Sequence, residues 1–228
     1  MAAGRTKAYG SASCYPAPVD EKVDILNTRG ETTGRVACKS EAHWLRLWHR
    51  CFHCWIVAPE TPAGGPYLFV QRRAAEKDTW PNKLDVTVGG HLKAGESALE
   101  GLREVEEELG LKVAGDELLL LGTRRAEKKI PAGLDRKFQE VFLLVRSLVP
   151  EDLRLQGEEV AAVWCLRLED IETLYEGAEI TAEEWASGII APVSVRLTDF
   201  IPDEDGYLLR VARAARAALA GERLDALF

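Results

Sequence analysis

The sequence has no excess of basic residues, no regular set of cysteines and no long apolar run. Its 37 acidic and 29 basic side chains give a formal net charge of −8, which argues against a nucleic-acid polymer as partner. Five cysteines, an odd number, do not indicate a disulfide framework, and we expect reduced thiols in a cytoplasmic protein. No run reaches the roughly 18 apolar residues of a membrane helix, so no membrane partner is expected.

What is present is the composition of a folded chain, with 46% hydrophobic and 29% charged residues among 228. No internal repeat or linker divides it. We therefore expect one α+β domain with a mixed β-sheet over residues 21–228. Residues 1–20 are mostly small and polar, and we expect a flexible tail there rather than a targeting signal.

Local patterns predict the elements at the two ends of this domain. Two β-like runs around the turn residues RGETTG predict an N-terminal β-hairpin that begins near Val23. The strand LDVTV is expected to end at a break formed by Gly89 and Gly90, and the Trp80-Pro81 step is expected to be extended. The runs ITAEEWASGI and GYLLRVARAARAALAGERL are rich in helix formers, which predicts a helical extension over about residues 178–228.

The clearest helix of the sequence begins after Ser97. Ser97 and Glu100 have the spacing of a capping box, which predicts a helix start, and Gly110 is typical of a helix end. We therefore predict a helix from about Ala98 to about Leu109, with its apolar and acidic residues on opposite faces.

Three acids of this helix are spaced so that their side chains are neighbours. Glu104, Glu107 and Glu108 stand at i, i+3 and i+4, where like charges repel one another unless a cation lies between them. Mg²⁺ is bound by carboxylate oxygens of this kind and keeps positions for water and phosphate oxygens. A solvated acidic face is the alternative that such a run of Glu more commonly represents.

The residues around these acids favour the metal site. The segment 90–111 resembles the Nudix box, the signature of the Nudix hydrolases. The positions of its pattern are occupied by Gly90, Glu96, Arg103, Glu104, Val105, Glu107, Glu108, Gly110 and Leu111. The segment has one departure, since six residues rather than seven separate Glu96 from Arg103. This leaves the spacing of the helical acids intact but does not establish a contact between Glu96 and Arg103.

The resemblance implies an α/β/α sandwich and a pyrophosphohydrolase that uses Mg²⁺, or Mn²⁺ in its place, with a small-molecule diphosphate as substrate. It implies catalytic roles for Arg103, Glu104, Glu107 and Glu159, and metal ligands among Glu104, Glu107, Glu108, the Gly89 carbonyl and Glu140. Glu140, Glu158 and Glu159 stay open as the source of the further carboxylate. Whether the protein acts as a monomer or a homodimer also stays open.

Residues 22–175 are further similar to the Nudix proteins related to isopentenyl-diphosphate isomerase. The similarity implies that Arg73 and Lys77 hold the diphosphate of the substrate. Trp80 is expected either to stack on a ring of the substrate or to pack inside the protein, and His91 is a further candidate for a substrate contact. The isomerase's catalytic cysteine is replaced here by Gly89. Its metal site of three histidines and two glutamates is matched at four positions, while the fifth is Phe138. The four are His43, His49, His91 and Glu140.

The intact acidic helix and the missing cysteine favour hydrolysis. The alternatives are an isomerase-like enzyme and a ligand-sensing Nudix domain without catalysis. We expect His43, His49 and His91 to be hydrogen-bonding partners or substrate contacts rather than a second metal site. The Cys51 and Cys54 side chains should point to opposite faces of a strand as buried structural thiols.

Overall fold

The N-terminal hairpin is formed by β1 (Lys22–Leu26) and β2 (Thr32–Cys38), as the turn residues predict. The computed structural model describes residues 20–60, 64–131 and 133–228. Of the predicted tail, only Asp20 is among them, so the tail prediction lies outside the described residues. The short helix α1 (Lys39–Trp44) follows the hairpin.

Within the described residues, the remaining strands join this hairpin in one mixed sheet. They are β3 (Trp48–Ala58), β4 (Tyr67–Arg73), β5 (Leu84–Asp85), β6 (Val88–His91), β7 (Leu118–Ile130), β8 (Gly133–Val145), β9 (Val160–Arg167), β10 (Ile180–Ala186) and β11 (Ile189–Val195). The main path has the order β11-β10-β9-β4-β3-β1-β2. Strand β3 also pairs with β6 and, in parallel, with β8, and β8 pairs with β7.

Helices cover both faces of the sheet. The helix α2 (Arg103–Leu109) packs on one face, where Val105 and Leu109 are buried against Phe52 of β3. The helices α3 (Ile171–Tyr175) and α4 (Tyr207–Leu219) cover the other face. This is the α/β/α sandwich that was expected. None of the helices in the described residues has the length and apolar character needed to cross a membrane.

The missing residue of the box is absorbed at the start of its helix. Ser97 and Glu100 form the predicted capping box, and Gly110 ends the helix with φ of 70°. However, Ala98–Leu102 forms a 3₁₀-helix, and only Arg103–Leu109 is α-helical. A 3₁₀-helix rises about 2.0 Å per residue against about 1.5 Å for an α-helix, so five residues span about 10 Å, at least the length of six α-helical residues. The acids therefore keep their positions.

Three local predictions are wrong. The segment after residue 178 is not wholly helical, because β10 and β11 form an antiparallel hairpin before α4. Gly89 and Gly90 do not break the strand but are part of β6, where they pair with β3. Trp80 is not extended, since it has φ of 54°, in the left-handed region.

Candidate active site

The guanidinium of Arg103 lies among three of the box glutamates. It contacts Glu96 (Nε to Oε1, 2.8 Å), Glu104 (Nη1 to Oε1, 2.6 Å) and Glu107 (Nη1 to Oε2, 3.2 Å). Its Nη2 also donates to the carbonyl of His91 at 3.0 Å. The Glu96–Arg103 contact is thus made in spite of the shortened spacing. Arg103 fixes the acidic helix to the end of β6.

Two of the helical acids are buried and the third is open to solvent. Glu104 and Glu108 are 9% and 4% exposed, whereas 51% of the Glu107 side chain is exposed. Burial raises the pKa of Glu104 to about 7 and that of Glu108 well above its usual range, and each lies close enough to other acids for their charges to add to the shift. Arg103 lowers the pKa of Glu104, and Lys77 and Arg73 lower that of Glu108, but the effect of burial is larger in both cases.

Gly90 is required by the close approach of Glu104. A Cβ atom on Gly90 would lie 2.1 Å from the Glu104 carboxyl carbon, far inside van der Waals contact. The strand β6 therefore carries glycine where the carboxylate of α2 rests against it. The carbonyl of Gly89, the neighbouring residue of β6, belongs to the same short segment.

Glu108 lies close to residues of β4, of the loop that follows β4 and of the loop before β9. Gln71 donates to Glu108 (Nε2 to Oε2, 3.3 Å), and the charges of Lys77, Arg73 and Glu159 act on the Glu108 carboxylate. Lys77 Nζ is paired with Glu159 Oε2. Of the three candidates for a further carboxylate, Glu159 is thus the one beside the box acids.

The other two candidates lie elsewhere. Glu158 is exposed on the loop before β9. Glu140 accepts a hydrogen bond from Thr123 (2.9 Å). In the sheet, Glu140 of β8 is paired with Phe52 of β3, and Phe52 is paired on its other side with Gly90 of β6. Two strand spacings, about 9.6 Å, therefore separate the Glu140 backbone from Gly90, and Phe52 stands between them.

A pocket lies on the opposite face of the sheet, between β3, β7, β8 and the segment before α4. Arg73 and Trp80 line it, so Arg73 is both in the pocket wall and within electrostatic reach of Glu108. Arg73 is also paired with Asp85 (3.2 Å). Lys128 lines the same pocket, and its Nζ donates to the Pro202 carbonyl. The sequence analysis missed Lys128, because a single lysine in a strand with several other charged residues offers no signal.

Three histidines and one aspartate meet on this same face of the sheet. One ring nitrogen of each of His43, His49 and His91 lies within 4.8 Å of the others. Asp135 Oδ1 is 3.5 Å from His43 Nε2 and 3.6 Å from His49 Nε2. Burial lowers the pKa of all three histidines, that of His49 to about 4. His91 thus faces this cluster and not the box acids.

The histidines do not have the hydrogen-bonding role that we expected at their inner nitrogens. Nε2 of His43, His49 and His91 and Oδ1 of Asp135 are buried and make no hydrogen bond with any described residue. The sequence analysis missed Asp135, because it is one of several charged and polar residues in the first half of β8 and nothing local distinguishes it.

The thiols behave as predicted. Cys51 and Cys54 are free and buried, and burial raises the pKa of each to about 12. Cys51 lies on the face of the histidine cluster and Cys54 in the core beneath α2. His53 lies outside the cluster, because its Nδ1 is hydrogen-bonded to the hydroxyl of Tyr207 (3.0 Å).

Comparison with known proteins connects this arrangement to a family. The NUDIX domain matches residues 47–186. A relative from Clostridium acetobutylicum, described as an uncharacterised Nudix hydrolase, is 31% identical over 203 residues, 86% of this chain and 97% of the relative. The chain belongs to the Nudix hydrolase family.

Further Nudix proteins match over shorter stretches. Nudix hydrolase 3 of Arabidopsis thaliana is 34% identical over 149 residues, 63% of this chain but 19% of that protein. A crystal structure from Deinococcus radiodurans is 24% identical and covers 69% of this chain and 90% of its own, with a TM-score of 0.49. By the family match over residues 47–186 and the Clostridium relative, the chain is a Nudix pyrophosphohydrolase, and enzymes of this family generally use divalent metal ions.

Proposed function

We propose that this Nudix hydrolase cleaves a nucleoside diphosphate linked to a further group, or a related small-molecule diphosphate, with Mg²⁺ or Mn²⁺ held by the carboxylates of α2. The observation that carries the proposal is the burial of Glu104 and Glu108 beside the exposed Glu107. Neighbouring carboxylates in apolar surroundings destabilise the ionised state unless a cation offsets their charge.

The donor set fits a hard divalent ion. The carboxylate oxygens of Glu104, Glu107 and Glu108 are oxygen ligands, and the Gly89 carbonyl would add a fourth. Gly90 leaves the space in which the Glu104 carboxylate rests. When bound, the ion would polarise a phosphoryl oxygen and lower the pKa of a water molecule.

The residues around the acids would orient the site. Arg103 holds the carboxylates of Glu104 and Glu107, and Glu96 in turn holds Arg103. These contacts fix the acids before the substrate arrives, so that little reorganisation is needed at the moment of reaction.

Lys77 and Glu159 would form an exchangeable pair, that is, an ion pair in which the substrate replaces Glu159 as the partner of Lys77. Without substrate, Lys77 Nζ is paired with Glu159 Oε2. A diphosphate at this position would compete for the ammonium group, since phosphate oxygens are strong acceptors for cations. Glu159 Oε2 would then be free to accept a proton from the attacking water.

The part of the substrate beyond the diphosphate would enter the neighbouring pocket. Arg73 supports this placement, because it lines the pocket and its charge acts on the Glu108 carboxylate. Trp80 offers an aromatic face in the pocket. Lys128 offers a cation, which donates to the Pro202 carbonyl and forms no ion pair with a carboxylate of the described residues.

A substrate panel tests the proposal. Nucleoside triphosphates, nucleotide sugars, thiamin diphosphate and prenyl diphosphates are incubated with the protein and Mg²⁺, and phosphate and monophosphate release are measured. We expect the wild-type protein to release phosphate or monophosphate from at least one class of substrate, and to release none without a divalent ion. When the reaction is run in ¹⁸O-labelled water, we expect the label in a phosphate product. The absence of turnover across the panel would contradict hydrolysis and favour a ligand-sensing domain.

The same panel separates hydrolysis from isomerisation. An isomerase would shift the double bond of isopentenyl diphosphate without releasing phosphate, which proton NMR detects. Gly89 and Phe138 stand where the isomerase has a catalytic cysteine and a metal-binding glutamate, so we expect no such shift.

A further inference from the structure

The histidine cluster is an unpaired set of buried donor atoms. Nε2 of His43, His49 and His91 and Oδ1 of Asp135 converge, and each is buried without a hydrogen-bond partner among the described residues. A buried polar atom without a partner destabilises a fold, because it has lost its hydrogen bonds to water and gained none in the protein. Four such atoms at one point indicate a missing central partner rather than four separate defects.

The hydrogen bond on the outer nitrogen of His49 determines what its inner nitrogen offers. His49 Nδ1 lies 3.1 Å from the Leu47 carbonyl, which can only accept a hydrogen bond, so Nδ1 carries the proton. In the neutral ring this leaves Nε2 with a free lone pair directed at the cluster. A histidine that ligates a metal is typically held in this way through its other nitrogen.

Asp135 is held in a comparable manner. Its Oδ2 accepts a 2.7 Å contact from Lys137 Nζ, while Oδ1 faces His43 and His49. Its distances to these two histidines exceed the 2.7–3.2 Å of normal N–H···O hydrogen bonds. They are close to the roughly 3.3 Å between neighbouring donors around a tetrahedral ion with bonds of about 2.0–2.1 Å.

We propose that His43, His49, His91 and Asp135 bind one transition-metal ion, with Zn²⁺ as the ion that three imidazoles and one carboxylate fit best. Nitrogen-rich sets of this kind favour zinc and its neighbours, whereas Mg²⁺ takes oxygen ligands. The set differs from that of the isomerase, because Glu140 lies on the opposite face of β8 and Asp135 supplies the carboxylate.

Four protein donors make this a closed site with a structural role. The donors come from α1, β3, β6 and β8, so the ion ties the short helix to three strands. The site is separate from the acids of α2. Gly90 and His91 are neighbours in β6, and their side-chain positions point to opposite faces of the sheet, toward Glu104 and toward His49.

Metal binding to the full wild-type chain tests the proposal directly. The protein is stripped with a chelator, titrated with Co²⁺ and then with Zn²⁺, and followed by visible absorption and by metal analysis after gel filtration. We expect the absorption of a four-coordinate Co²⁺ site that saturates at one ion per chain, and its loss when Zn²⁺ displaces Co²⁺. Saturation without those bands, or no retained ion, would overturn the proposal.

Matched variants locate the ion. His49→Gln and Asp135→Asn are expected to lose the retained ion, and chelation is expected to lower the Tm of wild type but not of these variants. His53→Gln, which removes a buried imidazole from the same face of β3, and Glu107→Gln are expected to keep it. Loss of the ion in Glu107→Gln, or retention in both cluster variants, would contradict the assignment. The proposed hydrolysis is measured separately, so either proposal can fail alone.

Discussion

The two groups of side chains that we propose bind metal ions meet at the end of β6, and they differ in almost every property. The acids of α2 are all oxygen donors, and Glu107 is half exposed. The histidine cluster is rich in nitrogen and buried. An open site of hard ligands suits an exchangeable ion that meets substrate, whereas a closed site of softer ligands suits a retained ion. One strand thus separates the proposed chemistry from the proposed structural support.

The largest expected effect is on the open site. Glu107→Gln removes the exposed carboxylate, and a metal-assisted step that loses several kcal/mol of stabilisation slows by about 10³-fold. The measurement is kcat with Mg²⁺ on a substrate found in the panel. Glu106→Gln is the matched control, because Glu106 is an exposed neighbour whose carboxylate forms an ion pair with Lys112 (3.6 Å). Equal rates for the two variants would contradict the assignment of the acids.

Gly90→Ala is expected to displace Glu104 without removing it. The added Cβ would overlap the Glu104 carboxyl group, and a displacement of about 1 Å at a reacting centre can lower a rate by about 10²-fold. We expect the loss in kcat together with a near-native circular dichroism spectrum. In Gly115→Ala, the new Cβ would have its nearest neighbour at 3.7 Å, so this control should retain activity.

Glu159→Gln tests the exchangeable pair. If Glu159 accepts the proton of the attacking water, its loss lowers kcat by about 10²-fold, at the lower end for general-base catalysis. Glu158→Gln is the control, since Glu158 is the exposed neighbour. An unchanged kcat in Glu159→Gln would contradict the proton-accepting role of Glu159.

The smallest expected effect is that of Arg103→Lys, which tests whether the two sites are independent. Arg103 contacts Glu104 and Glu107 and also the carbonyl of His91. Arg103→Lys keeps the positive charge but loses the planar guanidinium that contacts several acceptors at once, so we expect kcat to fall by about 10-fold. Retained zinc should stay at one ion per chain. A loss of zinc in this variant would show that the two sites are coupled through β6.

The sequence predicted the helix that carries the acids because a helix repeats at fixed spacing. Ser97, Glu100 and Gly110 mark the ends of the helical segment, and the acids between them follow from its period. What the spacing could not predict was the 3₁₀ start, which compensates for the missing residue and restores the contact between Glu96 and Arg103.

The closed site could be predicted only in part. Its histidines are visible in the sequence, but Asp135 comes from a strand that pairs with β3 across more than eighty residues, and no local pattern predicts that pairing. The hairpin of β10 and β11 was missed for a related reason. Its Ala and Glu favour helix locally, yet pairing with β9 overrides that propensity.

The most direct measurement of the two-site account is the activity of zinc-loaded protein before and after addition of Mg²⁺. We predict that protein with one Zn²⁺ per chain releases no phosphate from its substrate until Mg²⁺ is added, and that it keeps the Zn²⁺ afterwards. Full activity with Zn²⁺ alone, or release of Zn²⁺ as Mg²⁺ binds, would contradict it.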